Sequence, residues 1–171
     1  MRCCFTGHRV ISTAERDKVQ AALTEALEPL LDGGEDCRFL AGGAMGFDTI
    51  AAETVLVLRE RYPRVQLTLV LPCVNQTLGW PPWAIERYER IRAQADEVIY
   101  TSKEYYDGCM LRRDRYLAEN SDICIAYLRP RIARGGTRYT VDCCLNRGIP
   151  VINLAQRLIM VSDDGGENWI P

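Results

Sequence analysis

Short apolar runs alternate with segments of helical period along most of the chain. Arg2–Thr6, Cys37–Ala41, Val65–Leu71, Glu97–Tyr100, Ile123–Leu128 and Ile149–Leu154 read as strands. Each gap between them is long enough for a crossover, usually helical, which parallel strands require. Right-handed crossovers place helices on both faces of the sheet. The expected fold is α/β, a doubly wound and mainly parallel Rossmann-like sheet. Val65–Leu71 is nearly all apolar, as in a strand covered on both sides. The length of 171 residues suits one domain, since single domains run to about 100–200 residues. Residues 155–171 read as a short C-terminal extension, with a small strand and a turn at Asp163-Asp164-Gly165-Gly166.

The helices carry their own marks. Ser12 precedes Glu15 by three residues, a capping box for a helix from Thr13 to Leu31. Val19, Ala22, Leu23, Ala26, Leu27 and Leu30 share one of its faces. Pro29 is expected to bend or shorten its last turn. A helix over Phe47–Arg61 turns Ile50, Ala51, Thr54, Val55 and Leu58 inward. One over Ala84–Ala95 has Ile85, Tyr88 and Ile91 as its inner edge. Cys109–Asn120 and Thr137–Asn146 complete the set.

Three expected strands end in turns with chemical potential. The richest is Phe39-Leu40-Ala41-Gly42-Gly43-Ala44-Met45-Gly46-Phe47-Asp48, with three glycines in five residues. Glycine takes positive φ and lets a ligand approach bare backbone. The following helix aims unpaired N–H groups and its positive dipole end at the same place, where an anion is favoured. Thr6-Gly7-His8-Arg9 and Gly135-Gly136-Thr137 repeat the arrangement. The expected ligand site is therefore Gly7, His8, Arg9, Gly42, Gly43, Ala44, Met45, Gly46, Asp48, Gly135, Gly136 and Thr137.

Arg9 suits bidentate phosphate binding. His8 is open to a structural or a catalytic role, and Asp48 to stabilising its helix end or binding a ribose hydroxyl or base. Glu53 reads as a partner for neighbouring elements. Arg112, Arg113 and Arg115, split by Asp114, read as a solvated helix face. The alternative groups them with Arg129, Arg131, Arg134 and Arg138 as an anion-binding rim. Trp80 and Trp83 read as a proline-rich packed loop, with base stacking as the alternative.

A net charge of −2 argues against wholesale coating of nucleic acid. The eight cysteines include no CxxC pair, and His8 is the sole histidine. Neither a zinc site nor another metal or cofactor is expected. Cysteines in apolar runs point to buried reduced thiols in a cytoplasmic protein. No run reaches the ~18 apolar residues of a membrane span, and the N-terminus lacks the form of a secretory signal.

The turns occur in a particular order with Ala51-Ala52-Glu53, Leu71-Pro72-Cys73 and Gly108-Cys109-Met110. In this the chain resembles the SLOG superfamily, and within it the YpsA-type group of small bacterial proteins. The resemblance runs from the first strand to Pro150. It implies a Rossmann-like domain that binds a nucleotide or nucleotide-derived ligand as a sensor or regulator, in a protein that often pairs as a homodimer. Related branches imply two alternatives, a nucleotide-processing hydrolase or transferase and a single-stranded DNA binder. The hydrolase branch carries a glutamate in the later glycine turn where this chain has Thr140. The loss of that carboxylate removes the evident acid/base group and favours binding over hydrolysis.

Overall fold

The structure, a computed structural model, describes residues 1–156, 158–163 and 166–170, the last two stretches as backbone. Six strands are parallel: β1 (Arg2–Gly7), β2 (Cys37–Ala41), β3 (Val65–Leu71), β4 (Glu97–Tyr100), β5 (Ile123–Tyr127) and β6 (Val151–Asn153). Two more strands, β7 (Leu158–Asp163) and β8 (Gly166–Ile170), extend the β6 edge as an antiparallel pair. The sheet order is β4-β3-β2-β1-β5-β6-β7-β8. The α/β doubly wound, mainly parallel reading holds. The C-terminal stretch contributes two strands where one was expected. Asp164 and Gly165 of the expected turn lie outside the described residues.

Five helices connect the parallel strands: α1 (Thr13–Leu31), α2 (Phe47–Arg61), α3 (Pro82–Gln94), α4 (Cys109–Glu119) and α5 (Gly136–Leu145). The capping box of α1 is present, with the Glu15 carboxylate accepting from the Ser12 N–H at 3.1 Å and the Ser12 hydroxyl at 2.7 Å. Pro29 does not shorten this helix, which runs two residues beyond it.

Strand alternation sorts the core into two layers. Phe5, Phe39, Leu67, Leu69 and Ile125 face α1, α2 and α3 with Leu23, Leu27, Ile50 and Val55. Cys4, Leu40, Val70, Cys124 and Val151 face α4 and α5 with Leu117, Val141 and Cys144. Residues one apart on a strand point to opposite faces, so Cys3 belongs to the first layer and Cys4 to the second. No helix among the described residues is long and apolar enough to cross a membrane.

The chain builds outward from β1 through β2, β3 and β4, then returns to lay β5 on the other side of β1. The reversal between β1 and β5 is a topological switch point. Loops leaving the carboxyl ends of those two strands part there and leave a crevice.

Candidate functional site

A cavity of about 330 Å³ occupies this crevice. Its walls are Gly7, His8 and Arg9 after β1, Ala44 and Asp48 at the start of α2, and Met110, Arg113 and Asp114 from α4. Arg134, Gly135, Gly136 and Thr137 close it at the start of α5. Most of the residues expected from the sequence thus meet in one place. Gly42, Gly43, Met45 and Gly46 are not among the cavity's lining residues. Met45 and Gly46 face a neighbouring cavity with Trp83 and Arg87.

The β2–α2 turn is filled by the protein itself. A Cβ on Gly42 would lie 1.7 Å from an Arg113 guanidinium nitrogen. On Gly43 (φ +65°) it would lie 2.5 Å from the Leu71 side chain, and on Gly46 (φ +81°) 2.4 Å from the carbonyl oxygens of His8 and Arg9. The first N–H of α2, on Phe47, donates to the His8 carbonyl at 3.1 Å. These glycines let side chain and backbone pass close by.

What the turn holds is a buried charge cluster. Arg113 donates through Nε to Asp114 Oδ1 at 2.7 Å and through its terminal nitrogen to the Gly42 carbonyl. The same nitrogen lies 3.6 Å from Asp48 Oδ2, which also accepts from the Ala44 N–H at 3.3 Å. All three side chains are about 7% exposed. Burial pushes the Asp48 carboxyl up to about 6, opposed by Arg113, the Ala44 N–H and Arg9 and reinforced by Asp114. Burial also raises Asp114, against the pull of Arg113. Two carboxyls and one guanidinium therefore form a compact wall whose protonation changes in mildly acidic solution.

This cluster corrects the reading of Arg113 as solvated. Arg112 and Arg115 are exposed as expected, but Arg113 and Asp114 are buried. The sequence does carry the signal: Cys109, Arg113 and Leu117 fall at four-residue intervals and form one inward stripe of α4.

His8 is committed to the fold. Its Nε2 accepts the Arg129 N–H at 2.9 Å, tying the β1 loop to the β5 loop. Burial lowers its pKa, and the nearby Arg129 lowers it further. The neutral ring is the form that accepts this bond. Arg9 is exposed at the cavity mouth, with a long 4.0 Å contact to the Met110 sulfur.

The start of α5 differs from the start of α2. The first intrahelical bond runs from the Tyr139 N–H to the Gly135 carbonyl at 2.9 Å. The N–H groups of Gly136 and Thr137 precede it and belong to the open helix end. Among the described residues, nothing lies within 4 Å of a Cβ built on Gly135 (φ +121°). Thr140 is fully buried and turns its hydroxyl to the Gly136 carbonyl at 3.0 Å. It does not line the cavity.

Glu53 joins three helices, as its expected partner role requires. Its carboxylate accepts from Arg87 Nε at 2.6 Å and from Arg16 at 3.3 Å, with Arg90 at 3.6 Å. Trp80 packs edge-on against Tyr88, while Trp83 is 63% exposed. The packed-loop reading fits the first tryptophan and not the second.

A Rossmann-like sheet with a cavity at its switch point defines the general class. The chain belongs to the YspA SLOG family, whose YpsA family model matches residues 4–146. A UPF0398 protein of Brevibacillus brevis is 30% identical over 118 residues, covering 68% of this chain and 58% of that protein. The UPF0398 protein YpsA of Bacillus subtilis is 25% identical over 154 residues, covering 85% of this chain and 84% of that one. The chain spans less than two thirds of the length of the first curated relatives it matches. Among solved structures, DNA processing protein A from Helicobacter pylori matches with a TM-score of 0.59 at 18% identity, covering 88% of this chain and 63% of that one. Its counterpart from Streptococcus pneumoniae matches at 0.58 and 16% identity, covering 88% and 48%. These two likenesses establish the fold.

Proposed function

We propose that this protein binds a nucleotide or nucleotide-derived ligand in the switch-point cavity and acts as a sensor or regulator. The observation that carries the reading is the open α5 start facing Arg9, Arg134 and the Asp48–Arg113–Asp114 wall across one cavity. A phosphate suits the free N–H groups and the arginines. The carboxyls suit hydroxyl or amine donors of a ribose or base. The buried Thr140, turned into its own helix, supports binding over hydrolysis.

Thermal shift against nucleoside mono- and diphosphates, nucleotide sugars and ADP-ribose derivatives tests the proposal. A dose-dependent rise in Tm with one of these compounds is expected, because a ligand that binds only the folded state stabilises it. A flat response across the panel contradicts it. The same mixtures are analysed for products, since Asp48 and Asp114 are carboxyls in the wall. Turnover would favour the hydrolase or transferase alternative.

A second reading, single-stranded DNA binding, draws on the Helicobacter pylori protein, whose structure concerns its single-stranded DNA binding mode. Exposed Arg112, Arg115 and Arg134 beside the cavity are the features that fit it here. It requires affinity that falls steeply with salt. The reading also places the chain in the cytoplasm, in keeping with its free cysteines. A homodimer, expected from the family resemblance, is checked by light scattering.

A further inference from the structure

The layer between the sheet and α5 contains a cluster of sulfur atoms. Cys4 and Cys124 are register partners on the adjacent strands β1 and β5. Cys144 reaches them from α5. All three are fully buried, and their Sγ atoms all lie within 4.8 Å of one another. An atom placed at the centre of that triangle comes within bonding reach of every sulfur after small side-chain movements. Zinc–thiolate bonds, for scale, are about 2.3 Å long.

The surroundings select what such an atom can be. Leu117, Val141, Leu145 and Val151 pack around the trio, and the groups acting with Cys4 from outside it include the Cys3 thiol, the Ser121 hydroxyl and the acidic Asp114. A net charge is costly in such a place. Three thiolates around a monovalent or divalent ion leave the complex anionic. Structural zinc also wants four protein ligands, and the described cluster provides three. A trivalent centre with three thiolates is neutral.

We propose that Cys4, Cys124 and Cys144 form a binding site for trivalent arsenic, taken up as arsenous acid. That oxyacid is uncharged at neutral pH, so its passage into an apolar layer carries no ionic desolvation cost. Three As–O bonds break and three As–S bonds form. Each thiol proton leaves with one hydroxide as water, so three waters depart for each arsenic bound. Arsenic stays trivalent and no sulfur is oxidised, so neither oxidant nor reductant is needed. The product is a neutral trigonal pyramid buried between β1, β5 and α5.

The test is titration of the reduced full chain with arsenite. Native mass spectrometry should find the mass of one arsenic less three hydrogens. X-ray absorption should report sulfur as the only neighbour of arsenic, and Tm should rise with arsenite concentration. Cys124→Ala and Cys144→Ala should each weaken binding by at least about tenfold. Cys143→Ala, beside the trio in sequence but only half-buried, should bind normally. Cys73→Ala, which breaks the separate Cys73–Cys109 pair, should also bind normally. No arsenic retained, oxygen in the first shell of arsenic, or loss of binding in Cys73→Ala would each overturn the proposal. If the two core variants do not fold, the absorption spectrum of the unaltered protein still decides it.

Discussion

Two glycine turns that look alike in sequence do opposite things in the fold. Gly42-Gly43-Ala44-Met45-Gly46 is occupied by the protein: Arg113 against Gly42, Leu71 against Gly43, and two backbone carbonyls against Gly46. Gly135-Gly136 is exposed, and among the described residues only the Asp114 carboxylate approaches it, 3.0 Å from a Cβ on Gly136. The first turn is a packing device that lets a buried arginine reach a backbone carbonyl. The second leaves a helix end open to the cavity. Glycine density alone does not separate a cradle for ligand from a passage for the protein's own atoms. What lies where the missing Cβ would be does separate them.

Substitutions at the two turns therefore test the comparison, and the largest effect belongs to Gly46. Gly46→Ala combines a left-handed φ with backbone carbonyls at 2.4 Å, and backbone cannot swing aside as a side-chain tip can. A loss of about 3–5 kcal/mol is expected by urea unfolding, at the severe end for single substitutions. A near-neutral result would mean that this turn is as open as the α5 start.

Removing the cation that fills the first turn comes next. Arg113→Met leaves Asp48 and Asp114 buried without their counter-charge. Breaking a buried pair this way costs about 3–5 kcal/mol. The deficit should shrink as pH falls through about 6, where Asp48 takes up a proton. A deficit independent of pH would mean that Arg113 acts through packing alone.

The pH dependence of the unaltered protein follows with a smaller amplitude. Asp48 has a folded pKa of about 6, above the 3.8 of an unperturbed aspartate. Between these values the folded state binds more protons than the unfolded state, so stability falls as pH rises. The contribution is fully present below about pH 4 and is lost as pH rises through about 6, and Asp114 is shifted in the same direction. At about 1.4 kcal/mol per pKa unit the range for Asp48 is up to about 3 kcal/mol. Asp48→Asn should remove this component of the slope. Equal slopes in the two proteins would place the raised carboxyl elsewhere.

Gly136→Ala has the smallest expected effect on stability and a large one on binding. Among the described residues its Cβ meets the Asp114 carboxylate at 3.0 Å, a contact that a few tenths of an ångström of movement relieves, and as the first residue of α5 it gains little of the alanine preference of helix interiors. Stability should be nearly unchanged, while a methyl group enters the cavity where the anion is proposed to sit. A destabilised Gly136→Ala would erase the contrast between the turns.

The sheet was legible because its signals are local. Short apolar runs, the Ser12–Glu15 box and the Val19, Leu23, Leu27 spacing each report on their own segment. Most of the cavity wall was legible for a related reason, since the carboxyl ends of parallel strands all lie along one edge of the sheet, and ligands bind on that side. The Asp48–Arg113–Asp114 cluster was not read from the sequence, because an arginine-rich helix ordinarily faces water. Its burial depends on α4 crossing over the β2–α2 turn, a long-range placement hinted at only by the Cys109, Arg113, Leu117 stripe. The commitment of His8 to the Arg129 N–H was equally invisible, since its partner lies 121 residues away.

Whether the open α5 start holds the ligand is decided by calorimetric titration of the unaltered chain and of Gly136→Ala with the nucleotide that gives the largest thermal shift. Saturable binding of one ligand per chain is expected, weakened at least about tenfold in a variant whose Tm is not lowered. Equal affinity in the two proteins would contradict it.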